Sequence, residues 1–274
     1  SSDLAKLIQN KTCGFLIADL LGLEVSNRYT ENLLMQCTDF QLMTSQTLLA
    51  MYSSEFGIND NFHLYRDYPL IEEHLFQQSA PPCDSIYDVI WVGNSEWGKH
   101  QGLKDHKGFY GIVQPLLDLF NGELSFKIID SAKNRVPHIE VLHLIRKSKI
   151  LIQTSRSEGT GLPLLEAASL GKAVLTTDVG IASDFLTGEL AELIVANNTH
   201  AFASSILEIL PKSELVGEKI RSRFLEYIAE IKADSIPIRP RDSRAHPSML
   251  ISPKGLITHI KWFRRWVIYL LRNS

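Results

Sequence analysis

The chain has 274 residues, 45% hydrophobic and 22% charged, with a formal net charge of −3. That composition supports one large or two modest folded domains, excludes a disordered or fibrous chain, and argues against a dedicated nucleic-acid binder. No apolar run approaches the roughly 20 residues of a membrane span; the longest candidate, Cys13 to Val25, is broken by Asp19 and Glu24. Cys13, Cys37 and Cys83 lie far apart. They argue against a disulfide framework or a cysteine zinc site and fit a reducing, cytoplasmic setting. The chain opens Ser1-Ser2-Asp3, with no initiator Met, basic n-region or signal h-region, and reads as a fragment or a processed product.

In chain order, the first 76 residues predict strands over 39–44 and 62–65 with a helix over 45–56. This is α/β-like but too short for a complete second Rossmann-type domain. A polar stretch from Gln77 to Ser85, with Pro81-Pro82 inside it, marks a boundary. Beyond it, strands over 89–92, 124–129, 149–153, 173–177 and 190–195 alternate with helical segments over 108–120, 139–146, 163–170, 181–186 and 199–210. Asn121-Gly122 stops the first of these helices. Pro163 in the first turn and Gly171 just past the end frame the third. Such alternation predicts an α/β fold with a parallel sheet covered on both faces, binding ligands at the carboxyl ends of its strands. Residues 239–274 carry eight Lys or Arg against the single acid Asp242, after a stretch rich in proline. The expected segments are a partial α/β domain over 1–80, a Rossmann-like domain over 81–235, and a Pro-rich linker with a basic amphipathic helix over 236–274.

The informative stretch is Ser155-Arg-Ser-Glu158-Gly159-Thr160-Gly161-Leu162-Pro-Leu-Leu-Glu166, followed by Gly171 and Thr177-Asp-Val-Gly180. It leaves a strand and enters a helix. Gly159 and Gly161 let backbone approach a ligand closely, since no Cβ stands in the way. The amides from Thr160 to Leu162 then face that ligand at a helix N-terminus, a ready site for a diphosphate. A bare anion would not want two carboxylates beside it. A nucleotide sugar would, because its hydroxyls donate hydrogen bonds on both sides of the diphosphate.

Glu158 and Glu166, eight positions apart around Gly-Thr-Gly-Leu-Pro-Leu-Leu, resemble the paired-glutamate motif of retaining family 4 glycosyltransferases with the GT-B fold. The resemblance runs from about Asp39 to Leu210. It takes in Thr38 to Leu48, Pro69 to Phe76, Val92-Gly93-Asn94-Ser95, Lys107-Gly108, Val136-Pro-His138-Ile-Glu and Thr177 to Gly180. It implies a GT-B architecture: a donor-binding Rossmann-like domain, an incomplete acceptor-side domain over 1–80, and a C-terminal helix. It implies that Glu158 contacts the donor hexose near its reacting carbon and that Lys107 neutralises the departing diphosphate. Thr160 to Leu162 would hold sugar and diphosphate through backbone amides, and Glu166 the ribose hydroxyls. Gly93 and Asn94 would line the donor site, and His138 is weighed as a donor contact against an ordinary helix-start residue.

The sequence has no Asp-x-Asp pair and no metal-type histidine cluster. That agrees with metal-independent transfer needing no cofactor, the nucleotide sugar being the substrate. Family members often carry Arg just after the first-strand glycine. Here Asn94 and Ser95 stand there, which removes one cation unless Arg135 or Arg156 substitutes. The stretch from Lys107 to Glu158 is shorter than in most members, which implies one strand–helix unit fewer. Trp91 and Trp97 read as packing residues, and a dinucleotide fingerprint is disfavoured because Leu164 occupies its third glycine position. In the tail, Leu256, Ile260, Phe263, Val267 and Leu270 share one helical face, with Lys261, Arg265 and Arg272 largely opposite. That helix suits either an anionic membrane surface or packing back onto the fold.

The expected function is transfer of a sugar from a nucleotide sugar to a glycan or lipid-linked acceptor, with retention, in surface polysaccharide synthesis at the inner membrane face. No nucleic-acid partner is expected. The alternative is a non-catalytic nucleotide-sugar-binding module, or the donor half of a split enzyme.

Overall fold

The computed structural model describes residues 14–17, 40–57, 62–64 and 85–233. By its contacts the chain divides into two units, Ser1–Arg241 and Asp242–Ser274, and every described residue lies in the first. The cysteines, the Pro81-Pro82 boundary, the segment from Pro69 to Phe76, the Pro-rich linker and the basic C-terminal helix lie outside the described residues.

Near the N-terminus, β1 (Gly14–Ile17), β2 (Phe40–Met43) and β3 (Phe62–Leu64) pair in parallel in that order. Helix α1 (Gln46–Phe56) links β2 to β3. Its N-cap is Ser45, whose Oγ accepts from Leu48 N (3.2 Å) and so satisfies one amide the helix leaves free. Met43, Leu48 and Tyr52 are buried, with Leu49, Phe56 and Phe62 packed on them. Helix and flanking strands fall where the spacing predicts them. β1 has no counterpart among the predicted elements, since four residues carry too little alternation to register.

The larger sheet holds β4 (Tyr87–Gly93), β5 (Phe126–Asp130), β6 (Ser148–Gln153) and β7 (Ala173–Thr176), all parallel, in the order β5-β4-β6-β7. Consecutive residues are buried: Val89, Ile90 and Trp91 in β4, and Ile150, Leu151 and Ile152 in β6. A strand reads that way when helices cover both sheet faces. The covering helices are α2 (Gln114–Phe120), α3 (His138–Arg146), α4 (Leu162–Ser169), α5 (Ala182–Phe185), α6 (Thr199–Ile209) and α7 (Ser213–Ala233). From β4 the chain moves to β5 on one side, then returns past β4 to β6 on the other. This reversal opens a crevice at the carboxyl ends of β4 and β6, where such sheets bind ligands.

Three segments differ from the prediction. The 190–195 strand is instead a 3-10 turn, Gly188–Leu193, followed by a single bridge from Ile194 to Thr176. Leu190 and Leu193 are buried at a spacing of three, which suits a 3-10 turn in which i and i+3 eclipse. The 108–120 helix begins as a π turn, Phe109–Val113. Pro115 follows and cannot donate to Gly111 O, which accepts from Thr199 Oγ1 (3.0 Å) instead. Helix α7 was not predicted, although Val216, Ile220, Phe224 and Tyr227 are buried at helical spacing.

Candidate donor site at the switch point

Two loops meet at the crevice. The first leaves β4 at Gly93 and runs to the π turn; the second leaves β6 at Thr154 and runs into α4. Asp130, at the end of β5, steadies the first loop, accepting from Ser95 N (3.0 Å), Ser95 Oγ (2.7 Å) and Ala132 N (3.1 Å). Burial alone would push the Asp130 carboxyl up. Its hydrogen bonds to Ser95 and Ala132, with Lys133 nearby, outweigh that and hold it below the ordinary carboxylate range.

The loops are stitched together beside the crevice. Trp91 Nε1 donates to Thr154 Oγ1 (3.1 Å), which in turn donates to Lys107 O (2.7 Å). Arg156 N donates to His106 O (2.9 Å), and His106 Nε2 donates to Ser157 O (3.0 Å). Gly108 sits at φ +69, and a Cβ there would meet Thr154 O at 2.1 Å. Only glycine therefore lets the loops approach this closely. From the other side, Thr177 holds the second loop, donating from its N to Gln153 O (3.0 Å) and from its Oγ1 to Ser155 O (2.5 Å).

On this frame Lys107 and Glu158 come together. Lys107 Nζ pairs with Glu158 Oε1, and both side chains are 17% exposed. Ser155 Oγ donates to the same Oε1 (2.6 Å). Lys107 also lies over the Trp97 ring, 5.2 Å from its centroid, within cation–π reach. Trp97 packs on His106 (4.8 Å between centroids), while Trp91 is buried against Phe109 (5.1 Å).

The second acid is held differently. Glu166 lies on α4, buried, with Oε1 2.8 Å from Nε2 of His138, the first residue of α3. Burial pushes the Glu166 carboxyl up, and His138 only partly offsets this. Between the acids, Gly159 and Gly161 are buried. Gly161 occupies the N-cap of α4 at φ +80, where its Cβ would meet Gln153 Nε2 at 2.8 Å. No side chain caps α4. Uncapped amides at a helix start are the kind of donors that can face an anion.

Gly93 and Asn94 lie at the mouth of the first loop, each with a local reason for its identity. A Cβ on Gly93 would meet Trp91 Cζ2 at 2.5 Å. Asn94 Oδ1 accepts from Glu96 N (3.0 Å) and so shapes the turn. Arg135 and Arg156 are exposed. Among the described residues no group of three or more His, Cys, Asp or Glu could hold a metal ion, and no helix is long and apolar enough to cross a membrane. Sequence reasoning missed Ser155, His106, Thr154 and Thr177. Ser155 and Thr177 stood inside the quoted motif without a role assigned to either, Ser155 as a hydroxyl three residues before the first glutamate.

Residues 132–229 match the family model described as Glycosyl transferases group 1. An uncharacterized glycosyltransferase of Methanocaldococcus jannaschii is 35% identical over 96 residues, which is 30% of this chain and 26% of that protein. The sucrose-phosphate synthase of Thermosynechococcus elongatus superposes with a TM-score of 0.56 at 17% identity, over 81% of this chain and 66% of that one. The Anabaena protein HepE, solved in complex with UDP-glucose, gives 0.56 at 13% identity, over 85% of this chain and 73% of its own. The fold is thus the α/β, GT-B type of these glycosyltransferases. The segment that matches the group 1 model includes His138, Glu158 and Glu166.

Proposed function

We propose that this chain binds a nucleotide sugar at the switch point and transfers its hexose, with retention and without a metal, to a glycan or lipid-linked acceptor. One observation carries the reading. The two glutamates flank the uncapped start of α4, and each is tied to an element following a different strand: Glu158 to Lys107, after β4, and Glu166 to His138, after β5. A diphosphate on the α4 amides would then have a cation and a carboxylate at its sugar end and a buried carboxylate at its ribose end.

The chemistry follows from charge. As the bond from the anomeric carbon to the phosphate oxygen breaks, negative charge grows on the leaving diphosphate. Lys107 and the α4 amides stabilise that charge more than they stabilise the bound donor, which is what accelerates a reaction. Glu158 orients the hexose through its hydroxyls. Glu166 accepts from the ribose hydroxyls, and His138 holds it in place. Gly93 and Asn94 line the floor near the diphosphate. The acceptor hydroxyl would enter on the face the diphosphate leaves, forming its bond to the anomeric carbon while its proton passes to the departing phosphate oxygen, which retains the anomeric configuration.

The setting we propose is surface polysaccharide synthesis on the cytoplasmic side, with the basic C-terminal helix at an anionic membrane surface. A thermal-shift panel of UDP-, GDP-, ADP- and CMP-sugars tests the donor reading. At least one should raise the melting temperature by several degrees, and no shift with any of them would overturn it. Binding without sugar release to any acceptor would mark the chain as a non-catalytic binding module. Co-sedimentation with anionic but not neutral vesicles tests the membrane assignment.

A further inference from the structure

The ion pair at the sugar end sets two roles against each other. Lys107 is the cation assigned to the sugar end of the proposed diphosphate site, yet its ammonium is already engaged by Glu158. Glu158 is the acid meant for the hexose, yet both hydrogen bonds it accepts, from Lys107 and Ser155, fall on Oε1. While the pair holds, part of the Lys107 charge is spent on Glu158, and Oε1 already has two donors. The pair is only 17% exposed on each side, so water screens it less than it would a surface pair.

We propose that the Lys107–Glu158 pair is an exchange contact, broken when a diphosphate draws the ammonium away from Glu158. The proposal rests on the donor-site reading above. A diphosphate carries more negative charge than one carboxylate and outcompetes it for the ammonium. As Lys107 swings to the phosphates, Glu158 loses one of the two donors on Oε1. Ser155 Oγ stays on that oxygen, and Thr177 holds Ser155 from behind through its carbonyl. Oε1 is therefore released without the carboxylate being set loose, and it gains room for a hexose hydroxyl once the diphosphate is seated. A free sugar lacks the charge to draw Lys107 away and so leaves both donors on Oε1.

Calorimetry with inorganic pyrophosphate tests this without knowledge of the sugar. The wild-type chain is compared with Glu158→Gln, Lys107→Met and the double variant, each first checked for an unchanged melting profile. The isosteric amide no longer holds the ammonium, so Glu158→Gln should bind pyrophosphate about tenfold more tightly, and Lys107→Met about tenfold or more weakly. Glu158→Ala, as a second variant, should also bind more tightly than wild type. The double variant decides the mechanism. Exchange acts through Lys107, so Glu158→Gln should bring no gain in the Lys107→Met background. A gain that survives there would mean simple relief of charge repulsion and would overturn the exchange. So would unchanged or weaker binding by Glu158→Gln. In both cases the donor site itself would stand. If the wild-type chain bound neither pyrophosphate nor UDP, the donor-site reading would fail, and the exchange with it.

Discussion

Glu158 and Glu166 are eight residues apart and chemically identical, yet the fold treats them in opposite ways. Glu158 stands on a loop, partly exposed, and its charge is met by a lysine and a hydroxyl. Glu166 stands within a helix, buried, and its nearest polar partner is a half-exposed imidazole. One acid is balanced by charge and can change partners; the other is held by packing and resists change. Residue type alone does not assign a role. The element carrying the residue, and what that element lets near it, does.

Removing each acid is the most direct way to break this comparison. Glu158→Ala should lower turnover by about 10²-fold, the scale of losing a group that positions the reacting sugar, while nucleotide affinity does not fall. Equal losses of both in steady-state kinetics would erase the distinction between the ends. Asp130→Ala sharpens it from the side of the frame. It strands Ser95 N and Ser95 Oγ in a buried place, at a cost of about 2–4 kcal/mol in urea unfolding. The stability Asp130 contributes is present above the unfolded carboxylate pKa and lost as pH falls through its lower folded value. Glu166→Ala should weaken nucleotide binding about tenfold, as expected for losing one or two hydroxyl hydrogen bonds, without lowering the turnover of bound donor.

The smallest effect concerns the buried acid's own cost. The folded pKa of Glu166 lies above its unfolded value, so its contribution to stability is full below the unfolded pKa and is lost as pH rises through the folded one. Glu166→Gln should therefore melt a few degrees above wild type at pH 7.5, with the gap closing near pH 4. A gap that widened toward acid would show that His138, rather than burial, governs this acid.

Much of the larger sheet was legible because its strands are short apolar runs punctuated by Gly, Pro and Asn. The 173–177 strand and the 163–170 helix came within a residue or two of β7 and α4, since Pro163 and Gly171 bracket the helix chemically. The 190–195 stretch misled because Leu190, Leu193 and Val195 mimic a strand's apolar content while their spacing suits a tight turn. The motif identified both acids. It could not reveal that Glu158 shares one oxygen between Lys107 and Ser155, because Lys107 is 51 residues away and only the β4–β6 pairing brings the loops together. The partnership of His138 with Glu166 was equally hidden, since it depends on where α3 starts relative to α4.

Helix α7 reaches back to the far ends of the elements behind the crevice. Arg221 donates to Ser169 O at the last residue of α4, and Arg223 Nε donates to Phe185 O at the last residue of α5 (3.0 Å). Gly217 lies so close to the Gly171 carbonyl that a Cβ there would come within 2.1 Å of its oxygen. The tilt of α4, and with it the aim of its leading amides, is thus set partly by side chains some fifty positions downstream. Screens for altered ligand preference that sample only the crevice lining would overlook these remote levers.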